Sequence, residues 1–362
     1  MSVLTRVRPD LADFRAYASA RSHGLDARVL LNANEAPYDA ARASRGCNRY
    51  PEPQPAALRA GLASLYGVAP ERLWIGRGSD EAIDLLLRAF CRAGRDNIVT
   101  PAPTFGMYRV GAKLQGAACR EVALDAEAGF ALDPERLLAR VDADTKLVIV
   151  CSPNNPTGTS WHATLDYLAE RLENRALLVV DEAYVEFADA PSVVALLDRH
   201  ENIAVLRTLS KAHALAGARV GALIAHPALA ALVARIAAPY PLPSPSIALA
   251  LAALEPTALA ATRARIAAIR AERERVRWSL AALANVCDVW PSAANFVLAR
   301  FDDARAAFER ALEAGVLLRD VSDQQGLAGC LRITIGSTVE NDALLGALDG
   351  ARAPAATAGV FA

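Results

Sequence analysis

LVIVCSPNNPTG (147–158), LLVVDEAY (177–184) and IAVLRTLSKAHALAGAR (203–219) share one pattern, an apolar run that stops abruptly at polar residues able to do chemistry. Runs that stay apolar without alternation are strands covered on both faces, the mark of a mostly parallel sheet between helices. Further short strands are predicted at 73–75, 97–100 and 220–225 beside those at 146–151, 177–180 and 203–206. Helical stretches around 80–92, 105–114, 134–140 and 163–174 separate them. Strand and helix in alternation predict an α/β fold.

The pattern changes at PYPLPSPS (239–246), where four prolines exclude helix and central strand and suggest a domain junction. Beyond it a long helix is predicted over about 257–284. Strands at 287–290, 295–300, 316–319 and 330–335 and helices at 303–314 and 339–349 complete a smaller α+β unit. The division expected is a large domain over 30–245 and a small one from 1–29 with 246–350, followed by a disordered tail at 351–362. The arginines of RARIAAIRAERERVRW (263–278) interleave with glutamates, so that helix reads as a solvated face.

With 362 residues, the chain is long enough for about two domains and a large core. Its 39 basic and 40 acidic residues leave a net charge of −1, which excludes the overall positive field of a nucleic-acid binder and points to small-molecule partners. No run approaches the ~20 apolar residues of a spanning helix, and MSVLTRVRPD is no secretory signal, so a cytoplasmic location is expected. Six scattered cysteines lack a Cys-x-x-Cys pair and read as small buried apolar residues, with no metal site expected. Only Lys113, Lys146 and Lys211 are lysines among the 39 basic residues.

In open α/β sheets the ligand lies beyond the carboxyl ends of the strands, so the residues after the apolar runs carry the chemistry. Asp181 and Glu182 fit a helix cap, a metal carboxylate pair or a partner for a protonated ring nitrogen. Lys211 is either a surface lysine or an imine-forming amine, a task that guanidinium cannot perform. Arg219 suits a surface ion pair or a two-pronged phosphate clamp. LWIGRGSDEAIDLLLRAF (73–90) reads as strand, glycine turn and amphipathic helix, with Ser79 at or beside the cap and a start that favours phosphate. The side chains of Asp80 and Glu81 are expected to point away from such an anion.

Together these residues make the chain resemble the fold-type I pyridoxal-phosphate aminotransferases, and among them the histidinol-phosphate aminotransferases. The matching segments are LNANEAP (31–37), RYPEPQP (49–55), GRGSDEAIDLLLRAF (76–90), PAPTFGMY (101–108), CSPNNPTG (151–158), DEAYVEF (181–187), LRTLSKAHALAGARVG (206–221), APYPLPSP (238–245), VLLRD (316–320) and GCLRITIG (329–336). The resemblance implies a large cofactor domain, a smaller α+β domain and a homodimer with a shared active site. It implies that Lys211 bonds pyridoxal 5'-phosphate and then serves as base and acid. Asp181 would pair with the pyridine nitrogen, and Asn154 and Tyr184 would bond the ring oxygen. Ser79, Asp80, Ser210 and Arg219 would hold the phosphate, with Tyr50 reaching it in the partner subunit. Phe105 stands where the family often has a stacking tyrosine, so stacking survives without a hydroxyl. Arg332 and Arg319, with Tyr17 and Asn34, would bind substrate. The reaction implied is transamination of L-histidinol phosphate with 2-oxoglutarate by a ping-pong route. An aromatic-amino-acid aminotransferase or a threonine-phosphate decarboxylase would share the same cofactor residues, and a non-catalytic regulator would need a DNA-binding arm.

Overall fold

The computed structural model describes residues 3–11, 14, 33–41 and 46–349. Tyr17, expected to bind substrate, and the tail at 351–362, expected to be disordered, lie outside the described residues. One sheet has seven strands: β1 (Leu73–Gly76), β2 (Asn97–Ala102), β3 (Ala118–Ala123), β4 (Thr145–Cys151), β5 (Leu177–Asp181), β6 (Ile203–Thr208) and β7 (Gly221–Ala225). Their order is β1-β7-β6-β5-β4-β2-β3, and only β7 runs against its neighbours. A second sheet, antiparallel throughout, contains β8 (Val286–Val289), β9 (Phe296–Phe301), β10 (Arg319–Asp320) and β11 (Cys330–Thr334) in the order β10-β11-β9-β8.

The described helices are α1 (Ala56–Tyr66), α2 (Ser79–Phe90), α3 (Met107–Gln115), α4 (Pro134–Leu138), α5 (His162–Leu172), α6 (Pro227–Ile236), α7 (Ser244–Ala253), α8 (Pro256–Ala281), α9 (Ala304–Glu313) and α10 (Thr338–Asp349). The apolar strands serve two cores because side chains alternate across a sheet. Val148, Val150, Leu178 and Val180 pack towards Leu165 and Leu168 of α5, while Leu147, Ile149, Leu177 and Val179 pack towards Ile83, Leu86 and Phe90 of α2. A third core joins Val297, Leu331 and Ile333 of the small sheet to Val276 and Leu280 of α8.

Four expectations are corrected. Edge strand β3 forms where no strand is predicted, because ACREVA is largely open to solvent and lacks the apolar run of a central strand. Helix α7 begins inside the proline cluster, with Pro243 as its cap and Pro245 in the first turn, where a missing N–H costs nothing. Its Ala250, with Leu242 before it, packs in the core under the large sheet. On α8, Arg275 and Arg277 pair with Glu272 and Glu274 as expected, but Arg273 is buried and donates to the carbonyls of Phe187 and Ala294. Of the six free cysteines, Cys91, Cys151 and Cys330 are buried, whereas Cys47 and Cys287 are exposed.

Candidate active site

Strands β4, β5 and β6 end side by side: Cys151 pairs with Asp181, and Asp181 with Leu206. The loops after them therefore open at one edge. Gly76, the last residue of β1, lies opposite Gly221, the first of β7, and brings the start of α2 to the same edge. The resulting pocket has Asp181 and Cys151 in its floor, Phe105 and Tyr184 in its walls, and Ser79, Asp80, Ser210 and Arg219 at one end, with Lys211 between them.

Asp181 is buried, and burial pushes its pKa up to about 6 against the opposing hydrogen bonds. The Tyr108 phenol donates to its Oδ2 at 2.8 Å and the Ala183 N–H to its Oδ1 at 3.1 Å. Glu182 turns the other way, accepting from Ser192, from the Val193 N–H and from Arg207, so the two carboxylates do not converge. Among the described residues there is no cluster of three His, Cys, Asp or Glu able to hold a metal.

Lys211 remains open to the cleft, its Nζ 5.6 Å from the Tyr184 ring centroid. Partial burial, then the nearby Arg332 guanidinium, hold its pKa below the ordinary lysine value. Burial first of all raises the Tyr184 phenol, which stays protonated. The other two lysines are elsewhere: Lys113 is exposed on α3, and Lys146 lies 3.7 Å from the buried Asp96 carboxylate.

The polar end of the pocket is an anion cradle. Helix α2 starts at Ser79, and its cap, Gly78, has no side chain to satisfy the first-turn N–H groups. Gly78 has φ +80°, and a Cβ there would sit 2.5 Å from Arg219 Nη2. A Cβ on Gly221 would fall 2.4 Å from the Gly78 carbonyl carbon, so both glycines are required for this close approach. Arg219 itself has φ 55° and reaches Ser210 Oγ at 3.4 Å and Asp80 Oδ2 at 3.1 Å. Asp80 thus turns towards the arginine, contrary to expectation, because the guanidinium is the strongest local partner. Glu81 does turn away and binds Arg77.

Asn154 is displaced from its expected place. Its amide donates to the Pro103 carbonyl and to Thr157 Oγ1, and its oxygen accepts from Thr104, which uses it up within the loop. Its neighbour Asn155 lines the pocket, with Nδ2 3.4 Å from the Tyr184 hydroxyl and Oδ1 accepting from Arg332 Nη1 at 2.6 Å. Arg332 therefore reaches the pocket from the small sheet. Arg319 borders an adjoining cleft, of which Phe105 is the shared wall. Tyr50 lies outside this pocket, half-exposed and stacked on Tyr240 at 4.4 Å, and Asn34 is exposed with φ 54°.

The family model for aminotransferase class I and II matches residues 16–348. The chain belongs to the class I and II aminotransferase family. It is 52% identical over 360 residues to the histidinol-phosphate aminotransferase of Stenotrophomonas maltophilia, covering 98% of each chain. It is 52% identical over 351 residues to that of Xanthomonas campestris pv. campestris, covering 96% and 97%. The histidinol-phosphate aminotransferase of Sinorhizobium meliloti, solved in complex with pyridoxal-5'-phosphate, superimposes with a TM-score of 0.77 at 28% identity, covering 88% and 89% of the two chains.

Two residues at the site of this class I and II aminotransferase escaped the sequence reading. Nothing in NNP says whether Asn154 or Asn155 faces inward, so Asn155 has no signal of its own. Tyr108 reads as one more apolar residue on the inner face of α3, where Gly111 and Ala112 are also buried. Its only signal is a hydroxyl at a position that must be completely buried, since a buried tyrosine finds a hydrogen-bond partner.

Proposed function

We propose that this chain is a pyridoxal-phosphate-dependent aminotransferase of histidine biosynthesis that moves the amino group of L-histidinol phosphate to 2-oxoglutarate. The products are imidazole-acetol phosphate and L-glutamate. The observation that carries this reading is the convergence in one pocket of an amine, a buried carboxylate and an anion cradle, in a chain 52% identical to histidinol-phosphate aminotransferases over nearly its whole length. The cofactor fits on the chain's own terms. The glycine-made approach of α2 to Arg219 suits a phosphate, and buried Asp181 suits a cationic ring nitrogen.

When bound, pyridoxal phosphate supplies an electron-poor ring that accepts the electron pair of a breaking Cα–H bond. Lys211 Nζ is the attachment point for its aldehyde. The lowered pKa suits the amine to take the substrate's Cα proton and return it to the cofactor side. Asp181 holds the ring nitrogen, and Tyr184 with Asn155 bonds the ring oxygen. The first-turn N–H groups of Ser79 and Asp80, with Ser210 and Arg219, hold the phosphate, while Phe105 covers the ring face. Arg332 and Arg319, joined by Tyr17 and Asn34, take the anionic end of the substrate. Tyr50 completes the phosphate site of a second copy, so the working enzyme is a cytoplasmic homodimer. Residues 30–245 form the cofactor-binding domain, with Val3 and Ala250 also packed in its cores, and the rest of 1–29 and 246–350 the smaller one.

The test is a half-reaction without keto acid. L-histidinol phosphate should bleach the holoenzyme's visible band with high efficiency. Faster bleaching by phenylalanine, or release of carbon dioxide from threonine phosphate, would overturn the substrate assignment.

A further inference from the structure

Tyr108 is fully buried at the start of α3, and its phenol donates to Asp181 Oδ2 at 2.8 Å. The ring is steered from the side by Phe105, edge-on at 5.6 Å and 84°. One short stretch, PTFGMY (103–108), thus supplies a pocket wall and a partner for the carboxylate in the pocket floor. The Ala183 N–H takes Oδ1. A carboxylate has about four acceptor sites, so these two bonds leave room for a donor in the pocket.

A phenol bond to a carboxylate favours the charged form over the neutral acid. The remaining titratable groups around Asp181 act on it in different senses: Asp80 of α2 opposes its ionisation and Lys211, after β6, favours it. Cys151, at the end of β4, is held as a neutral thiol by its own burial. Burial likewise keeps the Tyr108 phenol protonated and a donor at every working pH.

We infer that Tyr108 is a positioning residue that decides where the proton shared by Asp181 and the cofactor's ring nitrogen resides. With the phenol in place the proton sits on the nitrogen and the carboxylate is ionised. Without it the same proton moves to the carboxylate, leaving a neutral ring that is a weaker electron sink. No proton is gained or lost; only its location changes. This inference rests on the proposed role of Asp181, and the measurement separates the two.

The experiment is nitrogen NMR of holoenzyme reconstituted with pyridoxal phosphate labelled with nitrogen-15 in the ring. Wild-type protein should show the shift of a protonated pyridine. Tyr108→Phe should move it towards neutral pyridine and slow Cα proton removal about tenfold, the loss expected for one hydrogen bond to a charged group. An unchanged ring shift in Tyr108→Phe would overturn the inference. A neutral ring in wild type, or no change in Asp181→Asn, would instead overturn the role given to Asp181. Should the phenylalanine variant fail to fold, 4-aminophenylalanine at position 108 keeps the shape with a weaker donor. It should give a smaller displacement in the same direction, and no displacement would again refute the role.

Discussion

Arg319 and Arg332 stand directly opposite each other across the antiparallel pair β10–β11. Like charges so placed destabilise a sheet by roughly 0.2–1 kcal/mol. Burial, with Arg319 adding to it, holds the Arg332 pKa below the usual arginine value, and Arg332 Nε is buried without a hydrogen-bond partner among the described residues. An anion placed between them turns the repulsion into attraction. Arg332→Ala should therefore raise KM for histidinol phosphate about a hundredfold and Arg319→Ala about tenfold, as expected for charge-assisted bonds. Arg319→Ala should leave Tm unchanged or slightly higher. Steady-state kinetics with thermal melts check both.

Lys211→Arg keeps the positive charge and removes the amine. Turnover should fall by at least the ~10²–10⁴ that a positioned base contributes, and the visible chromophore should be lost with it. Absorbance spectra and activity of the purified variant decide this; a retained chromophore refutes the attachment at Lys211.

Asp181 makes the cofactor-free protein sensitive to pH in an unusual direction. Its folded pKa of about 6 lies above the ordinary carboxyl value, so between pH ~4 and 6 the unfolded chain binds fewer protons than the folded one. This group's contribution to unfolding free energy therefore falls as pH rises through that window, and the penalty is complete above it. Asp181→Asn should flatten this limb and stabilise the cofactor-free protein by up to ~3 kcal/mol at pH 7 while impairing catalysis. Denaturant titrations at pH 4, 5, 6 and 7 measure the difference.

The two adjacent asparagines should fail differently. Asn154→Ala strands the groups of a buried, fully bonded loop and should cost about 1–3 kcal/mol of stability. Asn155→Ala removes the contact with Arg332 and the approach to Tyr184, so kcat/KM should fall at least tenfold with a smaller change in Tm. Equal melting losses with equal kinetics would contradict the assignment of the inward-facing amide to Asn155.

Gly78→Ala should weaken cofactor binding more than tenfold. At φ +80° and ψ 175° the backbone lies in a region essentially reserved for glycine, at a cost of ~1–3 kcal/mol for other residues, and the added Cβ meets Arg219. Cofactor titration of the stripped protein reads the effect.

What the sequence revealed follows from local rules. Apolar runs such as LVIV and LLVV have to be strands covered on both faces, whatever surrounds them, and most helices lie close to where the spacing put them. β3 and α7 escaped because an edge strand keeps polar residues and a helix accepts proline in its first turn.

The sequence also made Lys211 the candidate attachment point, since imine chemistry demands a primary amine and the chain keeps lysine at only three positions, and the structure puts that lysine in the pocket lining. The tertiary structure settled which asparagine of NNP turns inward and that the Tyr108 hydroxyl ends on Asp181, and it put Arg319 directly opposite Arg332, which the sequence placed only on neighbouring strands. Those residues are separated by 13 to 177 positions in contacts such as Arg319–Arg332 and Asn155–Arg332. Side-chain direction in a loop is set by the partners that close around it, and no local periodicity encodes them.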